Sequence, residues 1–102
     1  MVYKDYLMRN AKAKEFFAKT LGLSKRHIQE CIYELIDVAK ANNGIMTAEL
    51  LVTAATNQNS YAHSIFDWNS TSEERLAKAE YILSELTFLI DKDGNIYNIN
   101  LK

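Results

Sequence analysis

The side chains best suited to chemistry are few and scattered. The two histidines, His27 and His63, have no cysteine or carboxylate at a spacing that builds a metal site or a nucleophile–base–acid triad. Cys31, the single cysteine, falls on an apolar helical stripe, where a thiol acts as a small hydrophobe and not as a nucleophile. Asp91, Asp93 and Asn95 imitate the opening of a calcium loop. The glycine comes at the fourth position of that loop instead of the sixth, and no glutamate closes it, so the segment reads as a turn. No glycine-rich phosphate loop is present. His63, Phe66 and Trp68 offer an aromatic platform for bases or a partner, but aromatics in a connector more often pin it to the core. The expectation is a protein that is not an enzyme and that holds no metal or cofactor.

The elements that position these residues follow from periodicity and punctuation. With no proline and three glycines, the breaks fall at Gly22, Asn43-Gly44, Thr56 to Ser60, Asn69 to Ser72 and Asp93-Gly94. A first helical segment, one helix or two, spans about Tyr3 to Leu21 through Tyr3, Tyr6, Leu7, Phe17 and Leu21. The second, about Ser24 to Ala41, carries Ile28, Cys31, Ile32, Leu35, Ile36 and Ala39 at steps of three and four, with Ser24 as N-cap and Asn43-Gly44 closing its far end. Thr47 caps a third, with Leu50, Leu51 and Ala54 inward. The fourth, about 72–86, buries Leu76, Ala79, Ile82, Leu83 and Leu86, and Ser70 with Glu73 and Thr71 with Glu74 both have capping-box spacing. From Thr87 the period changes to two, and Phe88 to Ile90, Asp93-Gly94 and alternating Tyr97, Ile99 and Leu101 read as a β-hairpin over about 87–101. Such a hairpin is marginal alone and must pack on the helices, form a wing or pair with another chain.

The fold class expected is mainly α: one small helical domain over residues 1–102 with a C-terminal β-hairpin. A chain of 102 residues buries about 60 to 65% of its unfolded surface in one core and needs neither metal nor disulfide to do so. At 48% hydrophobic and 25% charged, the composition is globular. One cysteine, a charged Met1 to Asn10 segment and no long apolar run point to a cytoplasmic protein, of a cell or an infected host, without a membrane partner. The net charge of −1 conceals an asymmetry: residues 1–30 hold seven basic and three acidic side chains, the remainder five and ten. A basic first third attracts phosphates, while the acidic remainder limits indiscriminate binding.

The twenty residues from Lys14 to Tyr33 resemble the helix-turn-helix of DNA-binding regulators. Ala18 takes the place of the small residue where the two helices cross, Gly22 permits the turn, and Phe17, Leu21, Leu23, Ile28 and Cys31 occupy the apolar positions between them. The resemblance implies a helix-turn-helix unit over about 14–41, with a recognition helix that begins at Ser24 and enters the major groove of double-stranded DNA. Ser24, Lys25, Arg26, Gln29 and Tyr33 are then the outward-facing candidates. Arg26 suits a guanine edge and Gln29 an adenine edge. Lys25, Lys19, Lys14 and Lys12 would serve phosphates, and Ser24 would do so through its hydroxyl or the helix terminus. The function implied is transcription regulation or genome handling by a homodimer, with equivalent helices about one DNA turn apart, joined through the C-terminal helix or hairpin.

A second stretch, Gly44 to Ala55 and His63 to Trp68 followed by Arg75 and Ala79, resembles a pattern shared by small uncharacterised proteins of phages and mobile elements. It covers about residues 44–86 and implies such an origin without importing an activity. The alternative expectation is a non-enzymatic protein-binding module, such as a phage-encoded inhibitor, adaptor or virion component. In that reading Glu73, Glu74, Glu80 and Glu85, with Asp91 and Asp93, present negative charge to a basic host protein.

Overall fold

The computed structural model describes residues 10–86, 88–91 and 93–100, with the side chain of residue 11 left aside. The expectations placed on Tyr3, Tyr6, Leu7, Thr87 and Leu101 lie outside these residues. Helix α1 spans Ala11–Lys19, α2 Lys25–Ala41 and α3 Ala48–Ala55; a single 3₁₀ turn runs His63–Ile65, and α4 spans Ser72–Leu86. Strands β1 (Ile45–Thr47), β2 (Phe88–Ile90) and β3 (Ile96–Asn100) form one small sheet. The chain is a mainly α domain, as the periodicity implies.

Polar side chains set the helix ends where the sequence places them. Ser24 Oγ accepts from His27 N at 3.2 Å to start α2, and Thr47 Oγ1 accepts from Leu50 N at 3.2 Å to start α3. Asn43, at φ 58, is the left-handed residue that ends α2, and Gly44 N then reaches back to Ala39 O at 2.8 Å. For α4 the structure selects Thr71 and Glu74: Thr71 N donates to Glu74 Oε1 at 2.9 Å while Glu74 N donates to Thr71 Oγ1 at 3.1 Å.

Helix α2 is the axis of the core. All six residues of its apolar stripe are buried, and α1, α3 and the sheet pack against it. Helix α4 buries Ala79, Ile82, Leu83 and Leu86 between α1 and α3, with Leu76 half-buried at the margin. In α3 the buried residues are Ala48, Leu51 and Ala55. Leu50 and Ala54, expected inward, are half-buried, because the line 48–51–55 is the one that meets both α4 and β1. Helix α1 contributes Ala13, Phe16 and Phe17. Ala18, expected at the crossing with α2, is exposed; one residue beyond Phe17 the helix has turned by about 100°, which carries Ala18 off the packed face.

The hairpin forms around Asp91 to Asn95, with Gly94 at φ 89, Gly94 N donating to Asp91 O and Asp91 N to Asn95 O, both at 3.0 Å. It is not a free-standing wing. Strand β3 lies at the centre of the sheet, antiparallel to β2 with Leu89 opposite Tyr97, and parallel to β1 with Met46 opposite Ile99. Met46, Leu89 and Tyr97 are buried, while Ile45, Phe88 and Ile96 stay exposed. Strand β1 has no periodic signature: three residues cannot show an alternation, and its last residue doubles as the cap of α3.

Candidate nucleic-acid interface

The turn between α1 and α2 depends on Gly22. Its φ of 67 lies in the left-handed region, and Leu23 N closes the turn by donating to Phe17 O at 3.1 Å. Leu21 and Leu23 are half-buried against the core and Phe17 is fully buried, so the apolar residues of this segment hold the two helices together. The chain then enters α2 with its first turn facing out. Ser24, Lys25 and Arg26 are all exposed and Gln29 is half-buried. Tyr33, expected to face outward, is half-buried and packs against the core, since it borders the buried Ile32 and Ile36 stripe.

The lysines of α1 do not converge on that turn as one group. Lys12 and Lys19 share a shallow depression of about 180 Å³ with Phe16, Thr20 and Glu85 of α4, and Lys19 also pairs with Glu15 at 3.6 Å. Lys14 lies on the opposite flank of Glu15, beside Ala18. All three are exposed. Further along α2 the sign reverses, because Glu30, Glu34 and Asp37 follow Lys25 and Arg26 on the surface away from the core. At the start of α2 the exposed positive charge lies in the first turn, on Lys25 and Arg26.

Two residues of α2 engage the 56–71 connector, and sequence reasoning did not foresee either. His27 Nε2 lies 2.6 Å from Tyr61 O; a carbonyl only accepts, so Nε2 carries the proton. The two rings meet edge to face, with centroids 5.8 Å apart at 81°. Glu34, two turns on, accepts from Tyr61 N at 2.8 Å and from the Ser60 hydroxyl. The available signal was the spacing of seven, which puts His27 and Glu34 on one side of the helix.

The aromatic connector packs instead of presenting a platform. Trp68 Nε1 donates to His63 O at 2.8 Å, and His63 Nδ1 lies 2.7 Å from Ala55 O. The His63 and Trp68 rings stack 4.9 Å apart at 10°, and the Arg75 guanidinium sits 5.1 Å from the Trp68 ring centre. Phe66 is buried, and Lys78 Nζ donates to Ile65 O at 2.6 Å. Arg75 also donates from Nη1 to Ser70 O, and Asp67 Oδ1 accepts from Asn69 N at 2.9 Å.

Asp91 is committed to the hairpin. Its Oδ1 accepts from Asp93 N and Asn95 N, both at 2.9 Å, and its Oδ2 from Asn95 Nδ2 at 3.1 Å and Tyr97 Oη at 2.7 Å. Burial pushes the carboxyl up, but the donors outweigh it and hold it down at about 2. The Cys31 thiol is pushed up to about 12 by burial and by the nearby Glu34 charge. Among the described residues no three His, Cys, Asp or Glu side chains converge as a metal site, and no helix is long and apolar enough to cross a membrane.

Comparison with protein-family models, curated proteins and solved structures finds no match.

Proposed function

We propose that the chain is a helix-turn-helix DNA-binding protein of a phage or mobile element, a transcription regulator or genome-associated factor that acts as a homodimer in the cytoplasm. The observation that supports this reading is the first turn of α2: Ser24 caps it, and Lys25 and Arg26 project from it into solvent directly after the Gly22 turn. In this reading Arg26 reads a guanine edge, Gln29 an adenine edge, and Lys25 with Lys12, Lys14 and Lys19 meets phosphates. No catalytic step, metal or cofactor is involved. The test is selection of a preferred duplex followed by salt-controlled titration. Arg26→Ala is expected to weaken the preferred site by about 1 to 3 kcal/mol, and Lys25→Ala to weaken all duplexes alike. Unchanged binding in both variants refutes the assignment.

A second reading, a module that binds a basic host protein, is favoured by the exposed Glu73, Glu74, Glu80 and Glu85 on α4. Passage through a heparin column without retention, together with recovery of a single host protein by the immobilised chain, selects it.

A further inference from the structure

Resting on the reading of α2 as a DNA-recognition helix, we propose that Tyr61 and the loop leading to it form a second contact, made to the sugar-phosphate backbone of the same duplex. Tyr61 is fixed without being buried. Its carbonyl is held by His27 and its N–H by Glu34, yet the residue remains 43% exposed. Two side chains of the helix are thus spent on ordering a residue that adds little to the core. Fixing an exposed group in advance removes the entropy that a ligand would otherwise have to overcome.

The location follows from the partner. His27 is the residue after Arg26 in the first turn of α2, so the Tyr61 ring, edge-on to the His27 ring, lies beside the turn that carries the exposed Lys25 and Arg26. The loop has the right chemistry for a backbone contact. Thr56, Asn57, Gln58, Asn59, Ser60 and Tyr61 carry no charge, and of these only Ser60 is not exposed. Its shape is held by Asn57, whose carbonyl accepts from Ser60 N and whose side chain accepts from Asn59 N, both at 2.9 Å. Glu34, the carboxylate hydrogen-bonded to this loop, is engaged by Tyr61 N and the Ser60 hydroxyl. What this surface presents to a phosphate is a neutral phenol donor on the side of α2 that carries His27, and neutral donors of this kind position a protein on DNA without reading sequence.

A neutral contact has a signature that a cation lacks. It lowers affinity when removed, but it displaces no counterion, so the dependence of log K on log salt is unchanged. Tyr61→Phe keeps the ring against His27 and removes only the hydroxyl; its fold is checked by thermal melting. Wild type, Tyr61→Phe, Lys25→Ala and Arg26→Ala are titrated with the selected duplex and with a fluorescent random-sequence duplex over a range of salt. The expected result is a loss of about 3- to 10-fold for Tyr61→Phe on both duplexes at unchanged slope, against a slope flattened by about 1 for Lys25→Ala. Full affinity in Tyr61→Phe alongside weakened Arg26→Ala overturns the loop contact and leaves the recognition helix standing. A loss confined to the selected duplex overturns the assignment to the backbone. No duplex binding by wild type overturns both readings together.

Discussion

The phenol of Tyr97 donates to Asp91 Oδ2 at 2.7 Å inside the fold, and this bond ties the central strand to the start of the turn before it. The pair behaves as one unit. Burial and the hydrogen bonds given to Asp91 leave its carboxyl at about 2, below the ordinary 3.8. The bond to Asp91, burial and the surrounding Asp91, Asp93 and Asp37 charges push Tyr97 up to about 12, above the ordinary 10.0.

These shifts set the pH range of the hairpin. A depressed carboxyl contributes its stability in full above its unfolded value and loses it as the pH falls from about 3.8 to about 2. A raised phenol contributes in full below 10.0 and loses it as the pH rises towards 12. Urea unfolding across pH is expected to show both losses in wild type. Tyr97→Phe removes the phenol's share of the alkaline loss, leaving that of the buried Cys31 thiol, and narrows the acid one, because Asp91 then has one donor fewer. Asp91→Ala strands its N–H and O–H donors and is expected to cost about 1 to 3 kcal/mol at neutral pH. Lys40→Ala changes little, since Lys40 is half-exposed and 4.0 Å from the carboxylate.

Asn10 guards the free edge of β2. Its Nδ2 donates to Ile90 O at 2.7 Å and its Oδ1 accepts from Ile90 N at 2.9 Å, so one carboxamide satisfies both polar groups of an edge residue. Asn10 is itself 4% exposed. Asn10→Leu removes both bonds at similar volume and is expected to destabilise by about 1 to 3 kcal/mol. Hydrogen exchange at the Ile90 amide should accelerate in that variant by more than exchange at the amides of α2.

The start of α4 offers a paired test. Thr71 and Glu74 exchange hydrogen bonds as a capping box, whereas the Ser70 hydroxyl donates to Asp67 O in the preceding turn. Thr71→Ala is expected to lower stability by about 1 kcal/mol, with Ser70→Ala costing less. Equal losses in chemical denaturation, or the reverse order, contradict this assignment of the cap.

Local chemistry was legible in the chain and distant pairing was not. The α2 stripe, its Ser24 cap and its Asn43 closure all lie within a few residues of the groups they serve, so spacing alone identifies them. For α4 the sequence held two equivalent capping boxes, and the choice rests on where the Asp67 to Ser70 turn delivers the chain. Strand β1 was invisible because its partner strand lies about fifty positions on, and Asn10 because Ile90 is 80 positions away. Of the residues offered as outward-facing, Ser24, Lys25 and Arg26 are exposed, while Gln29 and Tyr33 are half-buried. The clamp of His27 and Glu34 on Tyr61 leaves only their spacing of seven as a local trace, and that does not identify Tyr61, since a connector of this length can fold back on either side of the helix.

Cys31 is protected by its surroundings. It is fully buried, with its thiol pushed up to about 12, so almost no thiolate exists in the native state at neutral pH. A disulfide reagent at pH 8 is expected to leave the native chain unmodified and to react at once in denaturant. Rapid modification of the folded chain would place Cys31 on an accessible surface and contradict the packing of α2.

The two alanines of α1 separate its packed side from its open one. Ala13 is 2% exposed and lies on the line with Phe16 and Phe17, while Ala18 faces solvent beside Lys14 and Lys19. A lysine at position 13 must bury its ammonium among core aromatics or force α1 away, so Ala13→Lys is expected to prevent stable folding. Ala18→Lys meets open space and should stay within about 0.5 kcal/mol of wild type. The same variant bears on DNA binding: an added cation beside Lys14 should tighten binding to random-sequence duplex and steepen its salt dependence by up to about 1 if α1 lies along the phosphates. Unfolding of Ala18→Lys would mean that Ala18 is packed at the α1–α2 crossing and not exposed to solvent.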